Sequence, residues 1–292
     1  MRILLTGGGG FIGKYLLLLL DKHQTMMVGR RDFEGLQDNI SYVQGNISNL
    51  LELEEKIKAF SPEACIHLAW EGIPDYSLST CLKNFNASIR LFDFLNKIGC
   101  KTIFSAGTCW EYGNLNGQVH ESDTPTDMNL FASMKSGLQL SGQSIFNSNA
   151  INFIWGRFFF IYGPGQRETS LIPSCFQAFN AGRMPELKNP NAVNDFIYVL
   201  DAAKAIVNII EAPNVSGVVN IGSGKPTKVI DVCKIISKKM NITVKSPTSE
   251  DFSESIGFWA DLSKIDQQTG WAPEVSVEEG IKMTIASLEE NL

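Results

Sequence analysis

An apolar run, Ile3-Leu4-Leu5, gives way at once to Thr6-Gly7-Gly8-Gly9-Gly10-Phe11-Ile12-Gly13 and then to Lys14-Tyr15-Leu16-Leu17-Leu18-Leu19-Leu20. The first run reads as a buried strand and the leucine-rich stretch as a helix, so the glycines mark a strand-to-helix turn. Gly7, Gly10 and Gly13 have the spacing G-x-x-G-x-x-G. In such a turn one glycine permits a tight reversal, one lets the backbone approach a pyrophosphate, and one lets the helix pack closely on the sheet. The N–H groups at the helix start, around Phe11 and Ile12, then hold the phosphates. A glycine repeat is weak on its own; between a strand and a helix it predicts a dinucleotide-binding turn.

The pattern around that turn repeats. Apolar runs at Arg2–Thr6, Thr25–Gly29, Ile40–Gln44, Ala64–Ala69, Lys101–Ala106 and Asn152–Phe158 alternate with helical stretches at Lys14–Lys22, Leu50–Phe60, Ser79–Ile98 and Ser133–Asn147. Such alternation predicts an α/β fold, a doubly wound parallel (Rossmann) sheet with ligands outside the carboxyl ends of its strands. After Pro164 the pattern loosens, with short strands at Asp195–Val199 and Val218–Ile221 and helices at Asp201–Glu211, Thr227–Lys239 and Glu278–Glu290. The expected division is a dinucleotide-binding domain over 1–165, with 192–222 returning to it, and a smaller interleaved substrate lobe over 166–191 and 223–292.

Composition narrows the function classes. A net charge of -6 argues against nonspecific nucleic-acid binding, so local donors must hold any anionic ligand. Six scattered cysteines without a C-x-x-C pair predict reduced thiols in a cytoplasmic protein, with no disulfide frame and no zinc site. The five leucines at 16–20 are too short a run to span a bilayer, and the first residues lack the features of a signal peptide.

On the cofactor side, Gly29-Arg30-Arg31-Asp32 follows the second strand. An acid at this strand end bonds ribose hydroxyls, whereas arginine favours a 2′-phosphate. Arg30 and Arg31 therefore favour NADP(H) over NAD(H), while Asp32 leaves NAD(H) open. Asn46 and Ile47 end the third strand, where an adenine edge is read, and Leu68, Ala69 and Trp70 end the fourth. The isolated His67 has no partner at metal-ligand spacing, so no metal is assigned.

Together these segments resemble the extended short-chain dehydrogenase/reductase family, in its nucleotide-sugar-modifying branch. The resemblance rests on T-G-G-x-G-F-I-G, His67-Leu68-Ala69, Ser105-Ala106-Gly107-Thr108-Cys109-Trp110-Glu111-Tyr112-Gly113, the Lys135 segment, Arg157 to Pro164 and Asn194-Asp195-Phe196-Ile197-Tyr198-Val199. Asp261-Leu262-Ser263-Lys264-Ile265, Gly270-Trp271-Ala272-Pro273 and Glu279-Gly280-Ile281 extend it to the end of the chain. It implies a 4-epimerase, 4,6-dehydratase or 4-keto reductase acting on a nucleotide diphosphate sugar. In this family a Ser or Thr polarises the sugar oxygen, a Tyr moves its proton, and a Lys binds the nicotinamide ribose and lowers the Tyr pKa.

By this resemblance the hydroxyl is Thr108 and the lysine is Lys135, but Phe131 stands at the tyrosine position, in Asn129-Leu130-Phe131-Ala132-Ser133-Met134-Lys135. Three explanations stay open: a substitution made to trap a complex, a natural loss that leaves a silent binding protein, or a proton from Tyr112, Tyr162 or Cys109. The intact glycines and lysine favour the first. The resemblance also places Asn84 and Phe159 near the cofactor. It puts Phe160 where many members carry a substrate-bonding Asn, and Asn194 where an Arg often precedes Asp-Phe-Ile. Arg167 and Arg183 are the nearby cations left for a diphosphate, and Trp70, Glu71 and Trp110 are candidates for the sugar pocket. Cys109 and Trp110, where a dehydratase has an acid pair, argue against dehydration. The first expectation is NADPH-dependent reduction of a 4-keto-6-deoxy sugar, with an NAD-dependent 4-epimerase second. A homodimer is expected through Ser79–Ile98 and Ser133–Asn147, with Leu82, Phe85, Ile89, Phe92 and Leu140 as apolar contacts.

Overall fold

A computed structural model describes residues 1–290 apart from 34, 148, 150 and 243–255, so that last stretch of the expected substrate lobe lies outside the described residues. In chain order the elements are β1 (Arg2–Thr6), α1 (Phe11–Leu17), β2 (Gln24–Gly29), β3 (Ile40–Gln44), α2 (Glu54–Phe60), β4 (Ala64–His67), α3 (Leu78–Lys97), β5 (Thr102–Ala106), β6 (Gly117–Val119) and α4 (Leu130–Asn147). There follow β7 (Asn152–Phe158), β8 (Phe160–Tyr162), α5 (Leu171–Asn180), β9 (Val193–Tyr198), α6 (Val199–Glu211), β10 (Gly217–Ile221), β11 (Pro226–Lys228), α7 (Val229–Lys239), β12 (Phe258–Ala260), α8 (Ser263–Thr269) and α9 (Val277–Glu289).

Seven strands form one sheet in the order β10-β7-β5-β4-β1-β2-β3, all neighbours parallel. Side chains alternate across a strand, and β1 shows the consequence. Ile3 and Leu5 enter the core shared with Leu16, Ile206 and Ile209 of α1 and α6, whereas Leu4 enters the one built from Leu91, Phe92, Phe146 and Trp155 of α3, α4 and β7. Both faces are thus covered, as buried parallel strands require. The strand order reverses between β1 and β4, which opens a crevice at their carboxyl ends.

The first helix departs from expectation at both ends. It begins at Phe11, because Gly10 in extended backbone caps it, and it closes at Leu17 with the Leu18 N–H bonded to the Tyr15 carbonyl. The leucine run therefore does not stay helical; Leu18 is exposed while Leu20 packs into the core before β2 starts at Gln24. The Leu50–Phe60 helix is split, with a 3-10 turn at Ile47–Glu52 preceding α2.

A second body of structure lies beyond β7. Strand β9 pairs with β8 and β11 in a three-stranded sheet, and β12 pairs with β6. Helices α5, α7 and α9 bury Phe176, Phe179, Ile236, Ile281 and Ile285 against Phe196 and Tyr198 of β9. Asp195 is fully buried and ties this region together, accepting hydrogen bonds from Ser223 N–H and Oγ (both 2.6 Å), Gly224 N–H (2.9 Å) and Ala260 N–H (3.1 Å).

Candidate active site

The carboxyl ends of β1, β2, β3 and β4 border a cleft of about 470 Å³ lined by Gly7, Gly9, Gly10, Lys14, Arg30, Arg31, Asp32, Asn46, Ile47, Leu68, Ala69, Trp70, Glu71 and Asn84, among others. That volume suits a small-molecule site. Gly7 has φ +82°, and a Cβ there would stand 2.7 Å from the Ala69 nitrogen, so only glycine lets the β1 turn meet the β4 end this closely. A Cβ on Gly13 would lie 2.3 Å from the Gly7 carbonyl, so that glycine packs α1 onto the turn and does not face the cleft. Ile12 packs into the core, and neither it nor Phe11 lines the cleft; Gly9 and Lys14, not singled out from the sequence, do.

Glu71 reorganises the expected roles of its neighbours. Its carboxylate pairs with Arg30 Nη1 (3.4 Å) and Lys83 Nζ (2.7 Å). Burial pushes its pKa up, but these cations and a hydrogen bond from Asn46 outweigh it, so the group is held below the usual carboxylate range. Glu71 thus lines the cleft at the strand ends, which Thr108 and Trp110 do not. Asn84 is buried and spends its amide on the same loop, accepting from Glu71 N–H (2.7 Å) and donating to the Glu71 (3.0 Å) and Thr80 (2.8 Å) carbonyls. Its role there is to position Trp70 and Glu71.

Lys135 and Thr108, the residues expected to react, lie by the ends of β4 and β5. Lys135, on α4, is 6% exposed; its Nζ donates to the Ala106 carbonyl (2.8 Å) at the end of β5 and lies 3.9 Å from the Trp70 ring centre. Burial lowers its pKa to about 7, with partial compensation from Glu111 and Cys81. Thr108 caps the 3-10 turn Cys109–Tyr112; its Oγ1 accepts from Trp110 N–H (3.3 Å), which leaves its own proton free to donate. Glu111 anchors the turn from below, accepting from Thr108 N–H (2.8 Å), Trp155 Nε1 (3.0 Å) and Arg157 Nε (3.1 Å). Gly107 is obligatory beside it, since a Cβ would lie 2.2 Å from Trp155 Nε1.

Phe131 lies one helical turn before Lys135 on α4, packed among aromatic rings. It is 6% exposed, with ring centres at 4.8 Å from Tyr76, 5.5 Å from Trp70 and 5.9 Å from Trp110, and Lys135 Nζ 5.9 Å from its own. The other proton sources considered from the sequence are committed elsewhere. Tyr112 is fully buried and its hydroxyl donates to Asn220 Oδ1 (2.6 Å). Tyr162 belongs to the α5–α7–α9 core and donates to the Ser276 and Val277 carbonyls. Cys109 is buried, and burial pushes its thiol well up. His67 is a neutral tie between strands and helix, 2.7 Å from Thr6 Oγ1 and 2.9 Å from Ser88 Oγ, with burial and the Lys135 charge pushing its pKa down to about 3. Phe159 is buried against Tyr112 and Phe258, and Arg167 and Arg183 are exposed. Among the described residues no His, Cys, Asp and Glu cluster could hold a metal.

A glycine turn between β1 and α1 and a basic β2 end border a cleft that fits a nucleotide, and comparison with known proteins decides the family. Residues 3–222 match the model of the NAD dependent epimerase/dehydratase family. The chain belongs to that family. Curated relatives include a UDP-glucuronate 4-epimerase from Thermodesulfobacterium geofontis, 24% identical over 99% of this chain and 96% of that protein. A dTDP-4-dehydro-6-deoxyglucose reductase from Escherichia coli is 26% identical over 98% of this chain and 97% of its own. Among solved structures, a dTDP-glucose 4,6-dehydratase from Bacillus anthracis in complex with NAD superposes with a TM-score of 0.85, at 23% identity, covering 100% of this chain and 97% of that one. The superposition carries the fold: a Rossmann sheet with the same extent.

Proposed function

We propose that this family member is a reductase that converts a nucleotide-linked 4-keto-6-deoxy sugar to the alcohol at C4. The observation that supports reduction over epimerisation is Phe131, a side chain without a proton to exchange, packed beside Lys135 and Trp110. Epimerisation begins by oxidising an alcohol, which needs a base to take its proton; phenylalanine offers none. Reduction instead leaves an alkoxide, a base strong enough to draw a proton from a neutral acid placed beside it, so this direction needs a positioned donor but no base. When bound, the nicotinamide supplies the hydride. Thr108 donates a hydrogen bond to the substrate oxygen, and the Lys135 ammonium stabilises charge developing there. Trp70 closes over Lys135 and excludes water from it. Residues 166–191 and 223–292 form the substrate lobe in this proposal, with Arg167 or Arg183 meeting the diphosphate.

NADP(H) is the proposed cofactor, on the strength of Arg31 and Arg30 at the β2 end; the glycine turn and its open Gly9 and Gly10 fit a diphosphate. A 4-epimerase is the second reading, supported by the name of the Thermodesulfobacterium relative. The experiment is calorimetric titration with NADPH and NADH, followed by assay of dTDP-4-dehydro-6-deoxyglucose with NADPH and of UDP-glucuronate with NAD. Net NADPH consumption supports the reductase. Interconversion of UDP-sugars without net oxidation selects the epimerase. Binding of both ligands with no turnover, by the wild type and by Phe131→Tyr, selects a silent binding protein.

A further inference from the structure

Tyr76 belongs to the loop between β4 and α3, and nothing in the sequence singles it out. Its ring leans on Phe131 at 4.8 Å between centres, tilted by 45°, and meets Trp110 edge-on at 5.3 Å. Trp110 N–H is the group bonded to Thr108 Oγ1, and Lys135 Nζ lies 5.9 Å from the Phe131 ring centre. Tyr76 is half-buried, and its hydroxyl makes no hydrogen bond among the described residues. The alternatives are spent: Tyr112 on Asn220, His67 between Thr6 and Ser88, and Cys81 on the Tyr76 carbonyl (3.7 Å).

The loop that carries Tyr76 is braced. Asp75 accepts from Ser77 N–H (2.9 Å) and Thr80 Oγ1 (2.5 Å), and Ser77 caps α3. Four residues earlier, Gly72 stands at φ +84° against the Thr80 methyl. A side chain on such a loop is held in place on both flanks, as an acid that must meet one atom requires.

We propose that Tyr76 is the proton donor of this site, delivering from the β4–α3 loop the proton that Phe131 cannot supply. The assignment rests on the reductase reading above. The ketone carbon gains a hydride from the reduced dinucleotide, and the ketone oxygen takes the Tyr76 proton, the phenol O–H breaking as the alcohol O–H forms. The phenolate is reprotonated from solvent, so each turnover consumes one NADPH and one proton and releases one NADP and one alcohol. The sugar ring lies in this arrangement between Thr108 and Tyr76, with Trp110 as its floor.

The test compares the wild type with Tyr76→Phe, Phe131→Tyr and the double variant, using dTDP-4-dehydro-6-deoxyglucose and NADPH. Tyr76→Phe is expected to lower kcat by about a hundredfold or more, the range of a lost general acid, with NADPH affinity unchanged. In the absence of dinucleotide the same variant binds the keto sugar nucleotide severalfold more weakly but dTDP equally, because only the sugar oxygen loses a partner. The double variant is expected to recover most of the rate, since Phe131→Tyr restores a phenol on the ring that Tyr76 touches. A Tyr76→Phe rate within threefold of wild type overturns the assignment. That outcome leaves the reductase reading standing, whereas an inert wild type beside an active Phe131→Tyr overturns both the assignment and reduction by the chain with Phe131 in place. Failure of the wild type to bind either NADPH or the sugar nucleotide sinks that reading, and the assignment with it.

Discussion

Lys135 carries an ammonium where an ammonium is costly. Its folded pKa of about 7 lies below the ordinary lysine value of 10.5, with burial as the main cause. Between these values the unfolded chain holds a proton that the folded chain has released, so stability contributed at this site rises with pH from 7 toward 10.5. Below pH 7 both forms are protonated and the full penalty is present. Lys135→Met is expected to remove this slope: between pH 7 and 9 the wild type should gain about 2 kcal/mol relative to the variant, at about 1.4 kcal/mol per unit. Urea unfolding at the two pH values measures it, and parallel behaviour of the two proteins refutes it. The pairing of Lys135 with position 131 was legible, because residues four apart share a helix face. Tyr76 was not, since it reaches Phe131 from a loop 55 positions away in the sequence, and no periodicity connects a loop residue to a helix.

At the strand ends of β2 and β4, a contact between elements bears on the proposed cofactor choice. Arg30 is read from the sequence as a partner for a 2′-phosphate, yet it is engaged by Glu71 from the β4 end. A carboxylate there occupies one guanidinium and repels a phosphate dianion. Glu71→Gln is expected to raise NADPH affinity about five- to tenfold relative to NADH, an effect of about 1 kcal/mol for a partly exposed charge, and to do so less at high salt. Calorimetry with both cofactors at two ionic strengths decides it; an unchanged affinity ratio would show that Glu71 does not face the ribose. The sequence made most of the parallel strands plain, because their buried centres are short apolar runs such as Ile3-Leu4-Leu5 and Met26-Met27-Val28. The segments β6, β8, β11 and β12 escaped it: three residues leave no room for an alternation to declare itself. Helix α5 escaped for another reason, lying between two Gly-, Pro- and Asn-rich stretches that read as one irregular connection.

At the scale of the molecule, α3 and α4 pack side by side on one face of the sheet, and their apolar residues divide between two tasks. Phe92, expected at a subunit seam, is fully buried in the core with Phe146 and Phe153; the stripe that begins at Leu82 turns inward along α3, through the partly buried Phe85 and Ile89. Leu78 (54% exposed), Leu82 (42%), Leu130 (44%) and Leu140 (63%) remain outside it. Single exposed leucines are ordinary, but four on two adjacent helices form a surface that a second copy would cover. Two-fold symmetry would bring each such residue into the interface twice, which makes the surface unusually sensitive to charge. We therefore expect a dimer in sedimentation at micromolar concentration, and a monomer for Leu82→Glu combined with Leu140→Glu, with circular dichroism and NADPH affinity retained because neither residue meets the cleft or the core. A wild type that sediments as a monomer refutes the seam, whereas a dimer that survives both glutamates places the contact on another face.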